Sequence, residues 1–381
     1  MPEPDNANDG EVWYIPHFAV AHPRTKKLRV VFDGKASYHG TSFNSHLLQG
    51  PEHMNSLFGI LCRFRRESIA ICCDIQKMFY NFYVKEADRD YLRFLWMEGK
   101  KIKKYRMKVH LFGAKSSPAV ATYGLRKIAE EHRQLSEKAY NFINKDFYVD
   151  DGITSAATVE EAVALINNTR SICEKRNLRL HKTISNSKEV LAQVPEDDRA
   201  VKKADLLQES LPCQKTLGME WSLKEDQFIF LNSLESKKAT TRRSILSAIA
   251  QIYDPMGFIA LFVLTGKSIL QDACAAKLEW NEPVGDDLMK RWESWVERLD
   301  SLSQIRVDRK LKPDFLGRIV TTELHHFEDA SETGYGACSY LRLVDEHQQS
   351  HINLLIGKAR VVPLKVLTIP RLELQAAVVA A

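Results

Sequence analysis

The run Ser68-Ile69-Ala70-Ile71-Cys72-Cys73-Asp74 carries no charge until its last residue. A continuous apolar run of this length is the pattern of a strand buried on both faces, and here an acid falls at its C-terminal end. The stretch Phe147-Tyr148-Val149-Asp150-Asp151-Gly152-Ile153-Thr154 alternates instead. Phe147 and Val149 point to one face and Tyr148 to the other, which predicts a β-hairpin with Asp150 and Asp151 at its tip. Asp151-Gly152 is expected to supply a turn that tolerates positive φ, with Ile153 resuming the strand. Alone, an Asp-Asp-Gly of this kind reads as a plain turn; the comparably placed Asp74 gives it weight.

The same reading orders the rest of the chain. Val12–Pro16 and Leu28–Asp33 are β-prone runs joined by the basic turn Arg24-Thr25-Lys26-Lys27, so a hairpin with a cationic tip is expected. Such a tip suits a triphosphate or simply solvent. An apolar helix is expected over Leu57–Phe64. Lys100 to Lys108, alternating with Ile102 and Tyr105, predicts a strand with a basic outer face, either solvated or lying along a phosphate backbone. Ser116-Ser117-Pro118 opens a helix running to about Glu131. Thr158-x-x-Glu161 reads as a capping box before a helix that buries Val159, Val163, Ile166 and Cys173. Residues 191–210 are polar and read as loop or linker. Leu217–Trp221 and Phe228–Phe230 form another predicted hairpin. Three helices follow, the first from Thr240 and broken at Asp254-Pro255-Met256-Gly257, the second over 260–277, the third carrying Trp292 and Trp295. Paired strands over Glu323–Asp329 and Tyr335–Leu341 and a final apolar helix, Leu372–Ala381, complete an α+β chain without internal repeats.

Length and composition narrow the class. With 381 residues, 44% hydrophobic and 27% charged, the chain has the makeup of a globular protein of two or three domains. Its formal net charge of +5 is compatible with a polyanionic partner. No charge-free apolar run reaches the length of a membrane span, and no membrane partner is expected. The 7 cysteines are scattered without a C-x-x-C pair, which gives no zinc site.

Asp74, Asp150 and Asp151 therefore lie at strand ends separated by a helix long enough to cross a sheet, an order that can bring them to one edge. Hard oxygen ligands of this kind suit Mg²⁺, and two such ions support in-line phosphoryl transfer. Pooled acids can equally form a structural salt-bridge network.

Tyr148-Val149-Asp150-Asp151 matches the Y-x-D-D box of reverse transcriptases, and Asp74 followed by Phe79 resembles their first catalytic motif. Ser117-Pro118-Ala119 and Leu217-Gly218 are similar to two further elements of that family, in its order. More narrowly, Arg29-Val30-Val31-Phe32-Asp33, Leu48-x-Gly50-Pro51, Phe94-Leu95-Trp96, Thr241-Arg242-Arg243, Tyr253-Asp254-Pro255-x-Gly257 and Pro370-Arg371-Leu372-Glu373-Leu374 resemble the Pao/BEL class of LTR retrotransposon Pol polyproteins. The likeness runs from about residue 12 to the C-terminus.

The resemblance implies a right-hand-like polymerase: a leader (1–11), reverse transcriptase fingers and palm (12–190), a linker, hairpin and helical thumb or connection (191–315), and a truncated RNase H-like α/β block (316–381). It implies RNA-directed DNA synthesis with two Mg²⁺ ions (Mn²⁺ as a substitute), a primed RNA or DNA template, dNTPs, and a cytoplasmic retroelement particle. Asp74 and Asp150 would ligate the metals and Asp151 complete the acidic site. Phe79 would sit under the incoming sugar and favour deoxynucleotides. Arg29 with Lys26 would meet the triphosphate, and Lys182 would lie near the pyrophosphate. Leu217 and Gly218 would lie near the primer strand, with Lys101 and Lys103 along the nucleic acid. One departure is Phe112, where many retroviral enzymes carry a glutamine. Asp329 and Glu373 resemble two of the four RNase H carboxylates, an incomplete set, so no RNase H activity is expected, nor any peptidase activity. The N-terminal part of the fingers is expected to be missing. The rival reading is a catalytically decayed or co-opted remnant that binds nucleic acid without polymerising.

Overall fold

The computed structural model describes residues 12–21, 26–200, 213–216, 218–230, 239–365 and 367–381. The first hairpin pairs β1 (His17–Ala21) with β2 (Leu28–Phe32), so the first strand starts one residue after Pro16 instead of spanning Val12–Pro16. Proline lacks the N–H a ladder needs, and Tyr14 makes only an isolated bridge to Arg93. A short pair, β3 (Ser37–Tyr38) and β4 (Thr41–Ser42), leads to helix α1 (Leu57–Phe64), which Ser56 caps.

The apolar run becomes β5 (Ile69–Ile75), buried on both faces as its composition requires. A separate ribbon, β6 (Arg93–Glu98) and β7 (Lys101–Arg106), carries the basic cluster. Helices α2 (Ser117–Glu131) and α3 (Glu137–Asp146) precede β8 (Phe147–Tyr148) and β9 (Asp151–Ala156). Helix α4 (Val159–Glu174) then leads to β10 (Leu180–Ser185). Thr158 caps α4 by accepting from Glu161 N–H at 3.2 Å, but Glu161 reaches back to Ala157 N–H at 3.3 Å, one residue short of a reciprocal box. These strands form an antiparallel sheet in the order β10-β5-β9-β8.

The two faces of that sheet have different neighbours. Cys73 and Ile75 pack with Leu125, Phe142, Phe147 and Ile172, beneath α2, α3 and α4. Ala70, Cys72, Ile153 and Ile184 pack on the other face against Ile60 and Phe64 of α1 and against a second sheet. That second sheet has the order β11 (Cys213–Thr216), β12 (Met219–Ser222), β13 (Gln227–Ile229) and β14 (Arg306–Asp308). It contributes Met219, Trp221 and Phe228, each buried.

Where 191–210 was read as loop, helix α5 (Lys188–Gln193), capped by Ser187, runs into its start, and a 3-10 turn covers Glu196–Asp198. The middle section holds α6 (Arg242–Gln251), α7 (Ala260–Ala275) and α8 (Asp286–Glu297) around Trp292 and Trp295. After α8, β14 returns to the second sheet and ties the helices to it. The last block is β15 (Ile319–Ala330), β16 (Gly334–Asp345) and β17 (Ser350–Val361), a meander with α9 (Ile369–Ala380) packed on β15 and β16. On β15, His325 bonds Glu323 and His326 bonds Ser339.

Two devices join these parts. Arg65 and Arg309 are fully buried cations. Arg65 donates to the carbonyls of Arg309 (3.0 Å) and Leu354 (3.0 Å); Arg309 binds both oxygens of Asp226 at 2.7 Å and the carbonyls of Glu67 and Ser68. Buried guanidinium groups persist because every donor direction finds an acceptor. Gly257, read as a helix breaker, also lies against β17: at φ +71° a Cβ there would stand 1.7 Å from the Gly357 oxygen. Among the described residues no helix is long and apolar enough to cross a membrane.

Candidate active site

Asp74 and Asp151 are direct partners across the β5–β9 ladder, and Tyr148 is the partner of Asp151 across β8–β9. On the other side His181 is the partner of Asp74. Directly opposed residues share a face with Cβ atoms about 5 Å apart, so His181, Asp74, Asp151 and Tyr148 form one row across four strands. They lie on the face that carries Cys72 and Ile153, one step beyond the last apolar row. Asp74 keeps 21% of its side-chain surface exposed, which leaves the row open at the strand ends.

The hairpin tip differs from the expected Asp-Gly turn. Val149 takes the positive φ, +59°, and Gly152 is already in strand, paired with Cys73 and Phe147. Glycine is needed there for space: a Cβ would fall 2.5 Å from the Phe147 ring and 2.9 Å from Cys73 Sγ. A β-branched residue in the left-handed region is strained. The strain is held by Phe147 in the core below and by the 2.9 Å bond from Ile75 N–H to the Asp150 carbonyl. Asp150 is thereby locked in the turn between Asp74 and Asp151.

Electrostatics follow from this crowding. Burial, then the charges of Asp150 and Asp74, push the Asp151 carboxyl up to about 6. Burial is also the main cause that raises Asp150, with Asp74 adding to it. Lys182 donates to Asp74 Oδ2 at 2.5 Å, and His181 Nδ1 lies 3.0 Å from the Asp74 carbonyl oxygen and 3.6 Å from Oδ1. The pairing register of β10 on β5 shifts between His181 and Ile184, and Lys182 sits in that bulge at φ +51°. Bulges re-aim side chains beside sites; this one turns Lys182 onto the acids. Lys182, expected beside a pyrophosphate, is thus placed on Asp74 itself. His181 was missed in the sequence, although alternation from Leu180 places it on the row of Asp74.

Among the described residues no three His, Cys, Asp or Glu side chains converge closely enough to hold a metal by themselves. The donor chemistry nevertheless fits Mg²⁺, which binds through one or two carboxylates and completes its shell with water and phosphate oxygens. Mutual repulsion among the carboxylates is what such a cation would relieve.

The remaining expected residues are distributed as follows. Phe79 is 9% exposed, packed with Met78 and Ile75, and its ring meets Phe112 edge-on at 5.4 Å. It is a core aromatic with an edge at the surface, and the exposed Phe112 covers that side. Ser117 is buried and donates to the Leu111 carbonyl at 2.7 Å. Arg29 and Lys26 are exposed on and beside β2. Lys103 is paired to Glu98 at 2.5 Å, while Lys101 is exposed opposite Glu98 in the ribbon. Gly218 stands at φ +85° in the β11–β12 turn; Leu217 lies outside the described residues. Asp329 and Glu373 are both exposed, on β15 and on α9, which packs against that strand.

Residues 241–381 match the family model described as the Pao retrotransposon-like RNaseH-like domain. No curated protein matches the chain. Among solved structures, the fold is similar to a foamy viral protease-reverse transcriptase (dRH) in complex with double-stranded DNA, with a TM-score of 0.61 and 15% identity over 96% of this chain and 54% of that one. A foamy viral protease-reverse transcriptase in complex with an RNA/DNA hybrid gives a TM-score of 0.59 and 14% identity, covering 96% of this chain and 42% of that one. A third complex, with dsDNA, gives 0.57 and 16%, covering 94% and 63%. This chain therefore spans roughly half the length of the solved chains it matches, and at these identities the likeness is one of fold. Together the two comparisons bear out the resemblance to Pao/BEL-type retroelement Pol polyproteins.

Proposed function

We propose that this retroelement Pol chain is an RNA-directed DNA polymerase segment. The observation that carries the reading is the pairing of Asp74 with Asp151 on adjacent strands, Asp150 locked between them, at the open end of a sheet whose other face is sealed by helices. The proposed organisation is fingers and palm over 12–190, thumb or connection over 191–315 and an RNase H-like block over 316–381.

In this reading a primer 3′-OH attacks the α-phosphate of a dNTP and pyrophosphate leaves. Mg²⁺, when bound through Asp74 and Asp150, would supply charge stabilisation at the reacting phosphate. The chain's own residues do the rest. The hairpin holds its acids at fixed separation, so little reorganisation accompanies the reaction. Lys182, paired with Asp74, would turn toward a leaving phosphate. Arg29 and Lys26 offer cations to the triphosphate, and the exposed Lys101 to the nucleic-acid backbone. Phe79 and Phe112 together wall the sugar side. The solved relatives in complex with DNA and with an RNA/DNA hybrid support a primed template as partner. A retroelement particle in the cytoplasm is the proposed setting. Asp329 and Glu373 alone are too few carboxylates for RNase H chemistry, and that activity is not proposed.

The test is primer extension on primed poly-riboadenylate with Mg²⁺ and labelled dTTP, comparing the chain with Asp150→Asn. Extension by the parent and its loss in the variant is the expected result. Salt-sensitive template binding by a folded parent that extends nothing would replace this reading with that of a co-opted binding remnant.

A further inference from the structure

Strand β8 is the outer strand of its sheet, so a carbonyl on its free side needs a donor from elsewhere in the chain. The Phe147 carbonyl accepts from Nδ2 of Asn55 at 2.9 Å. Asn55 directly precedes Ser56, the cap of α1. Its Oδ1 accepts in turn from Arg126 of α2 at 3.0 Å. A guanidinium only donates and a carbonyl only accepts, so these two partners fix the Asn55 amide in one orientation. Arg126 also reaches the Asn144 carbonyl in the last turn of α3, at 3.4 Å.

The segment that carries Asn55 is laid along α2. Gly50, at φ +82°, passes so close that a Cβ there would stand 2.9 Å from the Ala119 Cβ. The His53 and Tyr123 rings lie 6.2 Å apart, and Arg126 meets Asn55. Positions 119, 123 and 126 follow the i, i+4, i+7 spacing of one helix face. That face aligns the segment and delivers one amide to the first residue of the acid-bearing hairpin. Its effect exceeds that of an ordinary hydrogen bond because the chain then turns through Val149, at φ +59°. Such a conformation persists only where its surroundings impose it. Ile75 N–H holds the turn on the far side, at the Asp150 carbonyl; Asn55 holds it on the near side, at Phe147.

We propose that Asn55 is a positioning residue: braced by Arg126, it ties the hairpin to α2 and so holds Asp150 and Asp151 in place against Asp74. What the acids then do rests on the polymerase reading above; the restraint itself does not.

Asn55→Asp is the variant to measure, because it keeps the shape and the acceptor for Arg126 but sets a carboxylate oxygen against the Phe147 carbonyl. Hydrogen–deuterium exchange of the full chain reads the restraint without metal or nucleic acid. The hairpin amides and that of Ile75 should exchange about tenfold faster in Asn55→Asp, with α4 and β10 within about twofold of the parent. Asn186 is the comparison: it accepts from Ala70 N–H and donates to the Ser68 carbonyl, both at 2.9 Å, at the opposite end of β5. Asn186→Ala should leave hairpin exchange within about twofold, as distant sites act independently. In primer extension Asn55→Asp should lower kcat roughly ten- to a hundredfold and leave KM for primer–template within about twofold. Unchanged hairpin exchange in folded Asn55→Asp, acceleration spread evenly over the sheet, or faster exchange with an unchanged kcat would each overturn the proposal. Should Asn55→Asp fail to fold, Arg126→Met, which frees the Asn55 amide to rotate, is measured in its place with the same outcomes. A parent chain that extends no primer would sink the polymerase reading alone, and the exchange comparison would still decide the role of Asn55.

Discussion

The ammonium group of Lys182 lies 2.5 Å from Oδ2 of Asp74. A cation is thus already at one end of the acid row, supplied by a β-bulge in the neighbouring strand. It competes with any metal for the same carboxylate.

Removing that competitor should tighten metal binding. Lys182 is 59% exposed, so its contribution to stability is expected to be about 0.5 kcal/mol, that of an exposed pair. Lys182→Met is predicted to bind Mn²⁺ about two- to fivefold more tightly, because three crowded carboxylates then lack a counter-charge. Isothermal titration of the nucleic-acid-free chain reads this directly. Unchanged or weaker Mn²⁺ binding would mean that Lys182 does not compete for the site.

The raised Asp151 carboxyl makes stability depend on pH. Its native value is about 6, above the ordinary carboxylate value of about 4. Between those limits the native state binds more protons than the unfolded state. The contribution is therefore fully present below about pH 4 and is lost as pH rises through about 6. In urea titrations with chelator present, wild type should lose on the order of 1–2 kcal/mol over that window relative to Asp151→Asn. Parallel pH profiles would show that burial and the neighbouring acids do not hold the Asp151 carboxyl above its unfolded value.

Gly257→Ala should be the most damaging small substitution in the helical section. The new Cβ meets a backbone oxygen at 1.7 Å from a left-handed φ, and neither chain can yield without breaking the contact between α7 and β17. Loss of 4 kcal/mol or more, or no soluble protein, is expected. Gly40→Ala, at φ +80° with nothing within 4 Å, isolates the backbone penalty and should cost only about 1 kcal/mol. Similar melting shifts for the two would refute the close-contact argument.

Arg309→Met should cost about 3–5 kcal/mol, since it leaves the Asp226 carboxylate and three carbonyls without their shared donor. Adding Asp226→Asn to Arg309→Met should recover part of that loss. Guanidinium unfolding of Arg309→Met, Asp226→Asn and the double variant forms the test, and strict additivity would argue against a direct interaction.

Most elements were legible because their apolar spacing is local. The buried run of β5, the alternating β8–β9 hairpin and the Trp-rich α8 announce themselves within a dozen residues. What was not legible depends on distant neighbours. Gly152 looked like a turn residue, yet Phe147 and Cys73 decide that it is a strand residue needing space. Nothing local marks Arg65 and Arg309 as buried; their acceptors are carbonyls just after β14, on β17 and just before β5. The acids of the site were found by strand-end position, but His181 reaches it only through the pairing of β10 with β5.

The lateral alignment of His181, Asp74, Asp151 and Tyr148 has a consequence for how such a chain can vary. Their spacing is set by the hydrogen-bond lattice, with neighbouring strands about 4.8 Å apart, so the sheet acts as a ruler that the side chains only mark. Residues elsewhere along the strands can be exchanged freely for others of similar bulk without moving the marks. A single inserted or deleted residue between Ile69 and Asp74, or between Asp151 and Ala156, shifts the register by one and turns an acid to the helix-covered face. Length within these strands, more than composition, is therefore what a lineage must preserve to keep the site.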